Sequence, residues 1–346
     1  MKYSRVYIQS LGYVLPPVVV SSDELAEQID TVYSALHMSA GQLEALTGIY
    51  ERRWRESDHS LGKNAAAAAQ KALENARVSP EDIGALIYGG VNRENFEPAT
   101  ACHVASELRL AGDVAVYDLC NACLGVFNGV IEIANQIELG HIRAGLVVSS
   151  ETAREINDVM IDRMLAAPDM DTFTKALATL TGGSGSAAVL LTDGSFGGTP
   201  HRLLGGVSCA APEHHELCRW GLAPEAGQSL RPIMLTDAPN VLKHGVKLGI
   251  DTWNAFLKTL EWSPQLVDKV ICHQVGRANR DSILASIQID PEKDFSTFPY
   301  LGNTGTVSVP MTAAIAEERD FLKPGDRVAW LGIGSGLNCL MLGMEW

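Results

Sequence analysis

The stretch Asp118–Val126 reads Asp-Leu-Cys-Asn-Ala-Cys-Leu-Gly-Val and separates two different apolar patterns. Before it, residues 114–117 form a short apolar run typical of a buried strand. After it, apolar residues recur at helical spacing from Leu124 to Ile137. Cys123 is therefore predicted to lie where a strand turns into a buried helix. A thiol at a helix N-terminus faces unpaired backbone N–H groups, which favour the thiolate and so a nucleophile. A small core residue is the alternative.

The composition is that of a chain able to bury a large core. Of the 346 residues, 46% are hydrophobic and 20% are charged. The formal net charge of −14 argues against a nucleic-acid partner and against an anionic membrane surface. No apolar run approaches the ~18 residues of a membrane span, and no signal peptide is recognisable. We therefore expect a cytoplasmic protein.

The seven cysteines are scattered along the chain. We expect no metal site, because no pair of C-x-x-C elements faces another. Cys120 and Cys123 form a single C-x-x-C, which leaves a redox dithiol as an alternative role for this pair. Reduced thiols fit a cytosolic protein better.

Two short patterns recur in the same order along the chain. Ser79-Pro80 and Ser263-Pro264 each stand between a predicted helix and a predicted strand, and Gly183–Gly185 and Gly334–Gly336 each lead into an apolar run. This order predicts two copies of one α/β unit, residues 1–194 and 195–346. The first copy carries a predicted helical insertion. Two such copies predict a layered α/β protein.

The duplication has a consequence for chemistry, because ligands of α/β units gather at the C-terminal ends of strands. Cys123 follows a strand of the first half and His273 closes a strand of the second, so the two side chains are predicted to meet at the seam. Asn303 lies in a Gly-Asn-Thr-Gly turn that can place its amide over the same cavity, or it is simply a turn residue.

A glycine-rich turn follows later in the second half, at residues 332–336. At Gly334, Ser335 and Gly336 the backbone N–H groups can approach a ligand closely. An oxyanion hole and a phosphate loop are the two interpretations, although the Lys-Ser/Thr of a P-loop is absent.

Two further groups of polar residues are candidates for the site. Glu97 precedes a proline just after a predicted strand, where a desolvated carboxylate with a raised pKa could act as a base. A solvated loop charge is the alternative. Arg52, Arg53 and Trp54 could contact phosphates and stack on an aromatic ring, or form an ordinary surface.

Together these motifs resemble the thiolase-fold condensing enzymes, and among them the ketoacyl synthase III branch. Thr47–Arg52 resembles the branch's T-G-I-x-x-R, and Asn121–Gly125 its A-C-x-G nucleophile turn. His273-Gln274 and Gly302–Thr304 resemble its histidine and asparagine motifs. The resemblance implies an α/β thiolase fold, internally duplicated into an αβαβα architecture, with Cys123, His273 and Asn303 in one site.

The segments Arg93–Ala101 and Leu331–Cys339 resemble the OleA-type acyl-CoA condensing enzymes of long-chain olefin biosynthesis. That resemblance implies a non-decarboxylative Claisen condensation of two fatty acyl-CoA molecules through an acyl-cysteine. It also implies a homodimer in which Glu97 acts as the base in the partner's site, with the backbone of Ser335 in the oxyanion hole. CoA thioesters would be substrates, with no further cofactor, and downstream lipid-pathway enzymes are candidate partners.

Some residues depart from the type III pattern. Val275-Gly276 replaces the Ala-Asn of H-Q-A-N, which weakens the case for a carrier-protein partner. Gln42 and Leu46 replace the Trp and Arg that bracket the CoA adenine.

Met160 and Met164 of the insertion are candidates to line acyl channels, or are ordinary core residues. A decarboxylating 3-oxoacyl synthase III using malonyl thioesters, a cysteine-dependent acyl-CoA thioesterase and an idle scaffold subunit are the alternatives.

Overall fold

A computed structural model describes residues 1–39, 41–110, 112–223 and 230–346. The strands in these ranges are β1 (Tyr7–Val14), β2 (Val18–Ser21), β3 (Glu51–Trp54), β4 (Ala85–Gly89), β5 (Ala115–Leu119), β6 (Ala144–Glu151), β7 (Gly185–Thr192), β8 (His201–Ala210), β9 (Cys218–Ala223), β10 (Arg231–Thr236), β11 (Lys269–Cys272), β12 (Arg327–Gly334) and β13 (Asn338–Glu345). The α-helices are α1 (Ser22–Gln28), α2 (Asp30–Ala35), α3 (Gln42–Thr47), α4 (Leu61–Ala76), α5 (Thr100–Glu107), α6 (Gly125–Glu138), α7 (Arg154–Ala166), α8 (Met170–Leu180), α9 (Ala238–Leu260), α10 (Arg277–Ser286), α11 (Phe298–Leu301) and α12 (Ser308–Glu318).

Nine strands form one sheet in the order β11-β12-β13-β8-β1-β7-β6-β4-β5. In the first half, β4 and β6 are parallel, while β7 is antiparallel to both β6 and β1. In the second half, β11 and β12 are parallel, while β13 is antiparallel to both β12 and β8. The two halves thus repeat one strand order and one set of directions, which confirms the predicted duplication. The predicted boundary at residue 194 lies between β7 and β8 and stays a prediction.

The helices complete five layers. Helices α6 and α12 pack in the middle, where one apolar cluster joins them to strands of both halves. Helices α4 and α5 cover the outer face of the first half, and α9 and α10 cover that of the second. Strands β4, β6 and β7 of the first half and β12 and β13 of the second are buried on both faces along most of their length, as expected for strands that are nearly continuous apolar runs. The predicted αβαβα architecture is confirmed.

Local signals explain several element boundaries. Ser21 forms a capping box with Glu24 at the start of α1. This is the expected arrangement where a serine precedes a helix and a glutamate follows three residues later. Ser79 caps the short helix that begins at Pro80. Its counterpart Ser263 also precedes a short helix, but its side chain makes no capping bond.

The predicted insertion consists of α7 and α8, which pack with α1, α2 and β3 in a separate apolar cluster. The hairpin of β9 and β10 lies beside α8. None of the helices in the described ranges has both the length and the apolar character needed to cross a bilayer.

Candidate active site

A large cavity lies at the seam of the two halves, with a volume of about 1030 Å³. Cys123, His273 and Asn303 all line it, as the sequence predicted. Most of the exposed lining surface is apolar, and part of it comes from α8, α9 and the strands β9 and β10, at Leu177, Ala178, Val241, Leu242, Gly245, Gly249 and Met234. The cavity therefore combines a few polar groups with a long apolar wall, which is typical of sites that bind apolar ligands.

Cys123 lies between β5 and α6, in a tight turn that other segments hold in place. The preceding residue, Ala122, has a φ of +46°, a conformation that non-glycine residues rarely adopt. Thr306, from the second half, accepts a hydrogen bond from the backbone N–H of Val126 in the first turn of α6 (2.8 Å). The nucleophile turn is therefore bound directly to the loop that carries Asn303.

The electrostatics of Cys123 differ from the sequence-based expectation of a stabilised thiolate. Burial raises the pKa of the thiol to about 12, and the nearby Cys218 and Glu151 add to the effect. Desolvation outweighs the helix N-terminus, because a sulfur surrounded largely by protein loses much of the water that would solvate its charge. The resting nucleophile is therefore a thiol that must lose its proton during attack.

His273 follows β11, and only 8% of it is exposed. Its Nδ1 is 2.6 Å from Ser308 Oγ, at the first residue of α12. Burial lowers the pKa of the imidazole to about 4. At neutral pH the ring is therefore uncharged, with one nitrogen engaged by Ser308 and the other free to accept the thiol proton or to donate to an oxygen.

Asn303 sits in a turn whose conformation sets the direction of its amide. Its Oδ1 accepts a hydrogen bond from the backbone N–H of Gly305 (3.0 Å), so the NH₂ group is the part left to serve a ligand. The turn is anchored by Gly183, whose N–H donates to the carbonyl of Asn303 (2.9 Å). A Cβ at Gly183 would lie 1.9 Å from the carbonyl oxygen of Leu301, so this close approach requires glycine.

The glycine-rich turn after β12 packs against the nucleophile turn. A Cβ at Gly334 would lie 3.4 Å from the backbone nitrogen of Cys123. Gly334 and Ser335 line the cavity, whereas Gly336 is not among the lining residues. The Nδ2 of Asn338 also donates to Oδ1 of Asn121 (3.2 Å). This turn is therefore in position to contribute backbone N–H groups near the sulfur.

Glu97 does not line the cavity of its own chain among the described residues. It is exposed, in a loop whose neighbour Phe96 is 94% exposed. The prediction of a desolvated Glu97 carboxylate is therefore not fulfilled in the isolated chain, where this residue is exposed.

The prediction that Arg52, Arg53 and Trp54 contact a ligand is corrected by the structure, since none of the three lines the cavity. Arg52 is wholly buried, and its guanidinium donates to Ser22 Oγ and to the carbonyl of Leu180. Trp54 is 5% exposed and donates to a backbone carbonyl. Half-buried and buried positions alternate along β3, and the buried ones are Arg52 and Trp54. These two side chains therefore point into the core.

Met160 and Met164 are also core residues rather than channel lining. They are 1% and 0% exposed and pack in the apolar cluster around α7. Helix α7 reaches the cavity through Ile156, whereas Met160 and Met164 point to the cluster with the first helices of the chain.

Sequence reasoning missed two polar residues. Glu151 ends β6, lines the cavity and is buried, and desolvation raises its pKa to about 7. Ser308 orients His273 as described above. Glu151 is the last residue of a buried strand, and Cys123 and His273 follow the ends of other strands, so the strand-end argument could have identified it.

Comparison with known proteins agrees with this geometry. Residues 257–346 match the family described as 3-Oxoacyl-[acyl-carrier-protein (ACP)] synthase III C terminal. An acyl-CoA:acyl-CoA alkyltransferase of Shewanella oneidensis is 53% identical over 349 residues, and one of Xanthomonas campestris is 35% identical over 348, each match covering 100% of both chains. A beta-ketoacyl-ACP synthase III of Clostridium tetani is 25% identical over 358 residues and covers both chains fully.

Solved structures of Xanthomonas campestris OleA have the same fold. A cysteine variant superposes with a TM-score of 0.94 at 34% identity, covering 100% of this chain and 98% of that chain. A structure with bound lauric acid and lauroyl-CoA gives 0.92 at 34% identity, covering 99% and 100%. With full-length identity to two such enzymes and a cavity lined by the expected cysteine, histidine and asparagine, the chain belongs to the OleA family of acyl-CoA:acyl-CoA alkyltransferases.

Proposed function

We propose that this protein joins two fatty acyl-CoA molecules by a Claisen condensation without decarboxylation and forms a 2-alkyl-3-oxoacyl product. One observation carries the proposal: a cysteine, a histidine and an asparagine line one largely apolar cavity in a chain of this family. The CoA thioesters are the substrates, and no further cofactor is invoked.

In the first half-reaction, the Cys123 sulfur attacks the carbonyl carbon of an acyl-CoA, and CoA leaves as its thiol. Because the resting thiol is protonated, its proton must pass to a base in the cavity and then to the departing CoA. We assign this transfer to His273, which lines the same cavity as Cys123 and has an uncharged ring at neutral pH. The backbone N–H groups of Cys123 and Ser335 hold the oxyanion, and each donor contributes on the order of 3 kcal/mol.

In the second half-reaction, a carbanion forms at the α-carbon of another acyl-CoA. No carboxyl group is lost from a plain acyl chain, so a base must remove a proton from carbon. We assign this role to Glu97 of the partner subunit. His273 and Asn303 donate hydrogen bonds to the thioester oxygen, the enolate attacks the acyl-cysteine, and the cysteine sulfur leaves and is reprotonated.

Two features of a single chain support the action of Glu97 in a second copy. Strand β5 forms one edge of the nine-stranded sheet, and an exposed edge is a ready surface for pairing with another chain. The loop of residues 95–98 is exposed, and its Phe96 is an apolar side chain without cover. A homodimer formed at this side would cover Phe96 and could carry Glu97 into the neighbouring cavity.

The solved relatives support the same assignment. Structures of Xanthomonas campestris OleA have been determined with substitutions at a cysteine, a glutamate and a histidine. The substituted cysteine and glutamate are separated in sequence by the same number of residues as Cys123 and Glu97.

The size and apolar lining of the cavity are consistent with long acyl substrates. At about 1030 Å³ it lies just above the ~300–1,000 Å³ typical of ligand pockets. A decarboxylating synthase and a thioesterase remain the second and third hypotheses.

Mass spectrometry of the products formed from myristoyl-CoA alone tests the proposal. We expect a coupled 3-oxo product with two chains, or the ketone that its decarboxylation yields, and none with Cys123→Ala. Free myristate and CoA without a coupled product would support the thioesterase. Coupling that requires malonyl-CoA and releases CO₂ would support the decarboxylating synthase.

A further inference from the structure

A buried carboxylate lies in the cavity beside the residues given catalytic roles above. Glu151 is the last residue of β6, and only 4% of it is exposed. It lines the cavity together with Cys123 and is close enough for its charge to act on the thiol. A buried ionisable group is costly, so its contacts indicate what it contributes.

Each oxygen of the Glu151 carboxylate holds a backbone group at the start of the Glu97 loop, defined here as residues 91–98. Oε1 accepts a hydrogen bond from the N–H of Val91 (3.0 Å), and Oε2 accepts one from the N–H of Asn92 (3.3 Å). The hydroxyl of Tyr88 lies 2.7 Å from the carbonyl oxygen of Ser150 and 3.0 Å from that of Asn92, so its one proton is shared between β6 and the loop. Two hydrogen bonds to Glu151 and this shared contact therefore hold the first two residues of the loop.

The middle of the loop is also anchored, whereas its tip is not. The Glu94 carboxylate accepts a hydrogen bond from the N–H of Gly62 (3.0 Å) and lies 2.6 Å from Nδ1 of His103. Residues 95–98 are exposed. The first residues of the loop are thus held in place, and the exposed tip that follows them carries Glu97.

On its other side, Glu151 contacts the turn that carries Asn303. A Cβ at Gly305 would lie 3.4 Å from Cγ of Glu151, and a Cβ at Gly90 would lie 3.0 Å from Oε1. Gly305 has a φ of +60° and donates its N–H to Asn303. One side chain therefore fills the space between the Glu97 loop and the Asn303 turn.

We propose that Glu151 is a positioning residue for the second half-reaction. Its carboxylate fixes the Glu97 loop against the turn that carries Asn303, and this sets the position of Glu97 relative to the neighbouring subunit. This inference rests on the proposed function. Acylation of Cys123 needs neither the loop tip nor the α-proton base, so only carbon–carbon bond formation depends on the anchor.

The test is Glu151→Gln, which keeps the size of the side chain but places an NH₂ donor against one of the two backbone N–H groups. Intact-protein mass spectrometry measures acylation of Cys123 by myristoyl-CoA. Rapid quench of the acylated enzyme with a second acyl-CoA measures coupling. We expect acylation at least as fast as in wild type, because the variant removes a charge that raises the pKa of the Cys123 thiol. Coupling should fall by roughly tenfold or more, because small misplacements of a reacting group are costly.

Two further variants keep the test decisive. Glu155→Gln makes the same change at a carboxylate that is 55% exposed and does not line the cavity, and it should leave both steps unchanged. Tyr88→Phe removes the hydrogen bond to the Asn92 carbonyl. It should also reduce coupling selectively, but by a smaller factor than Glu151→Gln. It also decides the question if Glu151→Gln does not fold.

The possible results separate the two proposals. If wild type acylates but does not couple, the proposed function fails and this inference fails with it. If wild type couples and Glu151→Gln couples equally well, only the positioning role is refuted. An equal loss of acylation and coupling in Glu151→Gln and Tyr88→Phe would likewise refute it, since the defect would not be specific to the base.

Discussion

Replacing Glu151 with glutamine should change how the stability of the protein depends on pH. The carboxyl is 4% exposed, and desolvation raises its pKa from 4.5 to about 7 despite the opposing hydrogen bonds from Val91 and Asn92. Between these two pKa values the folded state retains a proton that the unfolded state has lost. Stability must therefore fall as pH rises through this range, and it stays reduced above it.

The magnitude follows from the difference between the two pKa values. Each pKa unit corresponds to about 1.4 kcal/mol, so full ionisation of Glu151 costs roughly 3 kcal/mol, of which about 2.5 kcal/mol develops between pH 5 and 8. Glutamine does not titrate, so the variant lacks this loss. The hydrogen bonds that glutamine cannot make shift its stability by an amount independent of pH. His273 has its pKa lowered to about 4 and acts in the opposite direction, but it is present in both proteins.

Urea unfolding at pH 5 and pH 8, at fixed protein concentration, measures this effect. The free energy of unfolding of Glu151→Gln minus that of wild type should increase by about 2–3 kcal/mol from pH 5 to pH 8. The matched Glu155→Gln variant should show a difference that changes by less than about 0.5 kcal/mol. A pH-independent difference for Glu151→Gln would refute the reasoning, because Glu151 would then have an ordinary pKa in the folded protein.

Three other substitutions test separate parts of the site. Ser308→Ala leaves Nδ1 of His273 without its partner and should slow coupling by roughly tenfold, whereas Ser308→Thr retains a hydroxyl and should be closer to wild type in rapid-quench assays. Glu97→Gln should fold and form the acyl-enzyme, but couple about 10²–10⁴-fold more slowly, the usual contribution of general-base catalysis; wild-type coupling would contradict its role. Gly183→Ala places a Cβ against a backbone oxygen and should lower the free energy of unfolding by more than about 3 kcal/mol, while Gly221→Ala, which meets nothing within 4 Å, should be nearly neutral.

The sequence predicted the parts of this protein that depend on local patterns. Cys123 and His273 were identified because each follows a predicted strand, although β5, before Cys123, is a half-exposed edge strand and not the buried one expected. The recurrence of Ser-Pro and Gly-Ser-Gly predicted the duplication that brings them together. Strands β5 and β11 are the outermost strands at opposite edges of the nine-stranded order. Their ends are brought together because the two halves pack against each other through α6 and α12, and the ends of strands in each half carry the polar groups.

The errors arose where burial depends on partners distant in the sequence. Arg52 and Trp54 are buried because β3 pairs with β2 and packs on the insertion, which a charged cluster does not reveal by itself. The raised pKa of the Cys123 thiol comes from enclosure by both halves of the chain. Glu151 was missed because its importance lies in contacts with residues 91 and 92, about 60 positions away.

The central claim is that one site uses the sulfur of one subunit and the carboxylate of the other. Mixing Cys123→Ser with Glu97→Gln, under conditions that exchange subunits, tests it most directly. Each protein alone should be inactive in coupling. The mixture should recover about a quarter of the wild-type activity per subunit, since half of the dimers at equal proportions are hybrids with one complete site. A mixture as inactive as its components, despite exchanged subunits confirmed by native mass spectrometry, would contradict the account.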